Sequence, residues 1–194
     1  MTRAIRRWLA GALILAGALA LLWVAVDLVA TASYRRHTAA ALEGMRASPR
    51  PEEERGLPAA LTTGEPIGTL EIVRIGLSGL VVEGDDDAVL DRAIGHLPDT
   101  PLPWQTGNTA LAAHRDALFR PLRDVRFGDV LRLTTPFGQY EYRVRETLIV
   151  KPEDVWVLDA TAGSMLTLIS CYPFAYIGHA PERFIVRADR IPSS

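Results

Sequence analysis

Short segments in which apolar and polar residues alternate, separated by turn residues, dominate the chain after residue 67. The clearest is the segment in which Tyr140, Tyr142 and Val144 alternate with charged residues, and this period of two indicates a strand with one buried face. The predicted strands are Thr69–Ile75, Gly79–Glu83, Thr109–Ala113, Val130–Thr134, Gln139–Val150, Met165–Ser170 and Phe184–Ala188. Seven or more short strands predict an all-β barrel or sandwich.

A helical pattern accompanies these strands over Asp86–Ile94. Val89, Leu90 and Ala93 form a short apolar stripe at helical spacing, and Asp85 can cap the first turn. We therefore expect a β-rich domain with one or two short helices.

The N-terminal pattern is different, because the 19 residues Trp8–Val26 contain no charge and follow Arg3, Arg6 and Arg7. A helix of this length spans about 28 Å, close to the hydrocarbon thickness of a bilayer. The preceding arginines favour a cytoplasmic N-terminus. The pattern predicts a single-pass transmembrane helix in the cytoplasmic membrane, with the rest of the chain on the extracytoplasmic side.

A cleaved signal peptide is the alternative for this segment, since Ala30–Ala32 has the small-x-small pattern of a cleavage site. In the preferred division, residues 1–37 form the membrane anchor with its flanks and residues 38–66 form a Pro/Glu-rich spacer. Residues 67–194 form the folded domain.

The composition of the chain excludes several kinds of site and gives no sign of some partners. One cysteine among 194 residues excludes a disulfide within the chain and a zinc site built from several cysteines. The formal net charge of −2 gives no electrostatic sign of a nucleic-acid partner. A lone thiol in an exported protein calls for an explanation, because oxidising compartments endanger exposed thiols.

The cysteine lies at a predicted strand end, since Pro173 follows Cys171 by two residues and proline cannot extend a central strand ladder. A catalytic thiol needs a partner that returns a proton to the leaving group, and this partner is usually histidine. His114 closes a predicted strand, and Arg183 opens the last one, where it could hold an oxyanion. The other histidines are His37, His96 and His179.

Three segments together resemble the sortases, membrane-anchored cysteine transpeptidases of bacterial cell surfaces. Residues 107–116, GNTALAAHRD, resemble the histidine strand of that family. Residues 167–171, TLISC, resemble its Thr-Leu-x-Thr-Cys signature, and residues 183–186, RFIV, resemble its arginine strand. The resemblance covers residues 67–191 and implies a closed eight-stranded sortase-type β-barrel.

Within the family, residues 171–174, CYPF, and residues 180–184, APERF, are most similar to the class D-like sortases of Gram-negative bacteria. Residues 95–98 resemble the family's Gly-His-x-Pro loop. Two positions depart from the pattern, since Ser170 stands where the family usually has Thr and Ala113 where it usually has Gly. Neither change removes a reacting group.

The resemblance implies cleavage of an LPxTG-like C-terminal sorting signal through a thioacyl intermediate, followed by transfer of the protein to an amine acceptor. Cys171 is then the nucleophile, His114 the general acid and later the base, and Arg183 the electrostatic support. Ser170 and His96 are candidates for substrate binding or oxyanion support. The scheme requires no metal or cofactor.

The implied partners are surface proteins with an LPxTG-like signal, an amine acceptor, and the cytoplasmic membrane through the N-terminal helix. Two other functions remain open at this point. One is a thiol protease that only hydrolyses the same signal, and the other is a non-catalytic scaffold that binds extended peptides at the surface.

Overall fold

The computed structural model describes residues 60–175 and 178–192, together with Gly17 and Leu21. Eight strands close into a barrel in the order β1-β2-β3-β4-β7-β8-β6-β5. The strands are β1 Pro66–Ile72, β2 Leu77–Glu83, β3 Ile94–His96, β4 Asn108–Ala112, β5 Val130–Thr135, β6 Gly138–Val150, β7 Met165–Tyr172 and β8 Glu182–Arg190. The predicted all-β class and the eight-stranded closed barrel are confirmed.

The helical segments are short. Helix α1 spans Asp87–Leu90, and three 3-10 turns span Val73–Ile75, Arg120–Asp124 and Val155–Leu158. Asp86 caps α1, with its side chain accepting a hydrogen bond from the backbone N–H of Val89 at 2.9 Å.

Two predicted boundaries are wrong. The helix predicted over Asp86–Ile94 ends at Leu90, and Ile94 instead opens β3, which pairs in parallel with β2. A side chain at Gly95 would collide with the carbonyl of Gly84, so this close approach requires glycine. The first predicted strand is also too long, since Val73–Ile75 forms a 3-10 turn that ends at Gly76 with φ +65°.

The predicted membrane segment Trp8–Val26 lies outside the described residues, except for Gly17 and Leu21. Among the residues that the structure describes, no helix combines the length and the apolar character needed to cross a bilayer.

The alternation seen in β6 produces the expected burial. Tyr142 and Val144 are each 1% exposed in the core, whereas Arg143 and Arg145 face solvent. Burial raises the pKa of Tyr142 to about 12, because the phenolate would lose its hydration inside the barrel. β6 pairs with β5 along its first half and with β8 along its second half. This long strand therefore supports β8, whose first residues pair with the end of β7 at Cys171.

An ion pair joins the turn after β1 to the segment before β5. Arg74 binds Asp129 through two hydrogen bonds, one of them 2.6 Å between Nη2 and Oδ2. The backbone N–H of Arg126 donates to the same carboxylate at 2.8 Å. The hydrogen bond from Arg74 is the main reason that the pKa of Asp129 lies below its ordinary value.

Replacement of Asp129 by asparagine is expected to lower the thermal midpoint by several degrees at pH 7. Because the folded pKa is below the unfolded one of about 4, the carboxylate stabilises the fold above that pH, and its contribution is lost as pH falls through the folded pKa. Calorimetry from pH 7 to about pH 2 should show the wild-type advantage shrinking in acid. Asp124→Asn is the control, because this variant keeps the backbone carbonyl that accepts a hydrogen bond from Arg74. A constant difference across this range would contradict the assignment.

Candidate active site

The register between β4 and β7 brings the predicted histidine and cysteine together. These strands are parallel, and their last pair is Ala112 with Ile169. The backbone N–H of Ala113 still donates to the carbonyl of Ile169 at 3.3 Å. Since His114 and Cys171 each lie two residues beyond the Ala112–Ile169 pair, both lie at the same end of the barrel.

A buried hydrogen bond at the other end of these strands helps to hold that register. The hydroxyl of Thr167 donates to Oδ1 of Asn108 at 2.7 Å, and both residues are almost fully buried. The amide of Asn108 also donates to the carbonyl of Val157 at 2.9 Å. Asn108 is a supporting residue that the sequence analysis did not single out.

Cys171 lies one residue before the end of β7, as Pro173 predicted, and its thiol is free and half-buried. Its partner in the antiparallel β7–β8 ladder is Arg183. Residues paired in this way project on the same side of the sheet, so the side chains of Arg183 and Cys171 share one face.

Backbone carbonyl groups at and just before the start of β8 hold the side chain of Arg183. Nη1 donates to the carbonyl oxygen of Glu182 at 3.0 Å and to that of Ala180 at 3.3 Å. Next to it, the rings of Phe174 and Phe184 pack edge to face with centroids 5.2 Å apart. These contacts fix where the β7–β8 connection leaves and rejoins the barrel.

These side chains line one cleft of about 330 Å³, open to solvent. Its residues are His114, Arg115, Asp116, Cys171, Gly178, His179, Ala180 and Arg183. The three predicted site residues His114, Cys171 and Arg183 therefore share a single cleft. Its volume falls within the ordinary range for small-ligand and peptide pockets.

Three side chains of the cleft were not predicted as site residues, namely Arg115, Asp116 and His179. Arg115 and Asp116 follow His114 directly, so their sequence position was the signal. Nη2 of Arg115 donates to the carbonyl of Gly178 at 2.8 Å and thereby ties the segment after β4 to the β7–β8 connection. His179 also lines the cleft, and no local sequence pattern predicts this.

Ser170 is placed differently from the prediction. It is 2% exposed, and its hydroxyl donates to the carbonyl of Ala113 at 3.3 Å. Neighbouring residues of a strand face opposite sides, so Ser170 points away from the face that carries Cys171. The hydroxyl makes a structural hydrogen bond next to His114, and the side chain does not line the cleft.

His96 is also buried away from the cleft, with 1% exposure. Its Nδ1 lies 2.8 Å from a carboxylate oxygen of Glu83, and its Nε2 lies 3.2 Å from the carbonyl oxygen of Pro101. Thr100 extends this network by accepting a hydrogen bond from the backbone N–H of Ala110 in β4. The structure thus does not bring His96 to the predicted site, but places it in a network that braces β4.

Comparisons with known proteins agree with this geometry. The family model for the sortase domain matches residues 70–191. Sortase D of Bacillus subtilis is 36% identical over 130 residues, which cover 66% of this chain and 66% of that protein. Sortase A of Listeria monocytogenes is 32% identical over 109 residues, covering 54% of this chain and 49% of that protein.

A solved structure shows the same architecture. The sortase D5 transpeptidase of Clostridium perfringens superposes with a TM-score of 0.73 and 25% identity, covering 82% of this chain and 99% of that one. The chain belongs to the sortase family. Members of this family are cysteine transpeptidases, and the sortase-type barrel implied by the three sequence motifs is thereby confirmed.

The chain matches only part of the length of sortases D and A. The matched regions span 66% and 49% of those two relatives. The named relatives come from Bacillus, Listeria and Clostridium, and none of them supports the narrower assignment to the sortases of Gram-negative bacteria.

Proposed function

We propose that this sortase-family protein cleaves an LPxTG-like C-terminal sorting signal and transfers the cleaved protein to an amine. The observation that carries the proposal is the convergence of Cys171, His114 and Arg183 on one solvent-open cleft. A sulfur nucleophile, a proton carrier and a cation are the groups that acyl transfer from a peptide bond requires.

The first half of the reaction acylates the enzyme. The Cys171 thiolate attacks the carbonyl carbon between Thr and Gly of the signal, which forms a C–S bond and places negative charge on the carbonyl oxygen. Arg183, the strand partner of Cys171, stabilises that oxygen by charge-assisted hydrogen bonds. The C–N bond then breaks, and His114 gives its proton to the departing amine nitrogen.

The second half reverses these roles. An acceptor amine attacks the thioester carbonyl carbon, forming a new C–N bond, and passes a proton to His114. The C–S bond breaks, and the electron pair returns to the Cys171 sulfur as a thiolate. The enzyme regains its starting state with no metal or cofactor in the scheme.

The location and partners in this proposal rest on the sequence. The uncharged segment Trp8–Val26 would anchor the protein in the cytoplasmic membrane, with the barrel on the extracytoplasmic side. Surface proteins with an LPxTG-like signal would be the substrates. Residues 171–174 and 180–184 support a class D-like sortase of the Gram-negative type, which stays a prediction.

A peptide assay distinguishes transfer from hydrolysis. A peptide containing Leu-Pro-Glu-Thr-Gly is incubated with the full chain, with and without triglycine, and the products are weighed by mass spectrometry. We expect a threonine–triglycine product when the amine is present. If both samples contain only a fragment that ends in a free threonine carboxylate, the result favours the hydrolase alternative for this amine. An intact peptide in both samples would contradict the proposed signal.

A further inference from the structure

A carboxylate outside the three family motifs lies against the catalytic imidazole. Oδ1 of Asp91 is 3.4 Å from Nε2 of His114. Asp91 directly follows helix α1, and its backbone N–H donates to the carbonyl of Asp87 at 3.0 Å. A short capped helix, and not a loose loop, therefore presents this carboxylate to His114.

We propose that Asp91 is a positioning residue that orients the His114 ring and pairs with the imidazolium that forms during the reaction. This inference rests on the proposed function, in which His114 exchanges protons with the thiol and the amine. The 3.4 Å separation is an ion-pair contact, in which the carboxylate attracts an imidazolium.

The charges of the cleft explain why such a carboxylate is useful. Arg115 and Arg183 both line the cleft, and their positive charges repel an imidazolium there. His179 and Asp116 also line it, yet of the carboxylates in the described part of the chain only Asp91 lies within ion-pair distance of the His114 ring. Asp91 thus places a negative charge at Nε2 of His114, opposite in sign to the two arginines.

The size of the effect follows from exposure. The side chain of His114 is 37% exposed and that of Asp91 is 70% exposed, so water and salt screen their attraction. Loss of an exposed pair of this kind changes an equilibrium by about two- to fivefold. We therefore expect a modest, salt-sensitive contribution to reactivity.

The test uses alkylation of Cys171, which needs no substrate. Cys171 is the only cysteine in the chain, so mass spectrometry reports its reaction with iodoacetamide without ambiguity. In the full chain at neutral pH and low salt, Asp91→Asn should slow alkylation about two- to fivefold. Asp91→Glu should recover most of the rate, and Asp85→Asn, an equal charge loss before the same helix, should leave it unchanged.

Salt separates an electrostatic role from a purely structural one. Raising sodium chloride from about 0.05 M to about 1 M should slow wild-type alkylation toward the rate of Asp91→Asn, because the Debye length falls to about 3 Å. The ratio of the wild-type rate to the variant rate should fall toward one, because salt screens the arginines of the cleft in both proteins. With the Leu-Pro-Glu-Thr-Gly peptide, kcat should fall by the same factor while KM stays constant, since Asp91 does not line the cleft.

His114→Ala in the same alkylation assay tells the two ideas apart. If His114→Ala slows alkylation but Asp91→Asn does not, Asp91 has no positioning role and the proposed function stands. If His114→Ala leaves the rate unchanged, the thiol–imidazole coupling of the proposed function fails. If Asp91→Asn and Asp91→Glu are equally slow, and the wild-type rate does not converge with that of Asp91→Asn at high salt, the electrostatic role is overturned.

Discussion

Cys171→Ala is expected to abolish cleavage of the Leu-Pro-Glu-Thr-Gly peptide, with a loss of at least about 10⁴-fold in kcat. The variant lacks the only sulfur nucleophile in the chain, and water in the open cleft cannot replace it. The thiol is half-buried at a strand end and forms no disulfide, so its loss leaves the barrel packing intact. Thermal unfolding should therefore show a midpoint within a few degrees of wild type.

Binding distinguishes this outcome from the scaffold alternative. Titration of Cys171→Ala with a fluorescently labelled Leu-Pro-Glu-Thr-Gly peptide should give an affinity near that of wild type, because the groups that hold the peptide remain. Alkylation of the wild-type thiol should block turnover to the same extent. Measurable turnover by Cys171→Ala, with its fold shown to be intact, would contradict the role of the thiol and favour a protein that works by binding.

Much of this site was predictable, because a strand can be recognised from a few neighbouring residues. The pairing register then determines which strand ends lie together. The segments ending in His114 and Cys171 each show a short apolar run that stops at the reactive residue. Once β4 and β7 pair in parallel, that common stopping point places both residues at one end of the barrel. The β7–β8 ladder then adds Arg183 directly opposite Cys171.

The missed strand β3 shows what local patterns do not contain. It has only three residues, Ile94–His96, and its parallel pairing with β2 depends on residues about a dozen positions away. Apolar residues at this spacing fit the end of a helix equally well, which is why the predicted helix ran on to Ile94. The close approach that allows the pairing needs Gly95, and an isolated glycine does not by itself indicate a strand.

The two secondary candidates failed to reach the cleft for different reasons. Ser170 could have been excluded from the sequence, because strand alternation turns it to the face opposite Cys171. For His96 no such signal existed, since its burial depends on Glu83, its register partner in the neighbouring strand. The positions of His179 in the cleft and of the Asp91 carboxylate beside His114 could likewise be seen only in the folded chain.

Replacing His114 by alanine should lower kcat for peptide cleavage by about 10²- to 10⁴-fold, the usual worth of a positioned acid–base group. Without the ring, the departing amine must leave unprotonated or take its proton from water, while peptide contacts elsewhere in the cleft keep KM nearly constant. Added imidazole should restore part of the rate, because the cleft is open and the deletion leaves space for a free ring. Such rescue is specific to lost proton transfer, since imidazole does not repair a damaged fold. Unchanged kcat in this variant would instead assign proton transfer to another group of the cleft, of which His179 is the remaining imidazole.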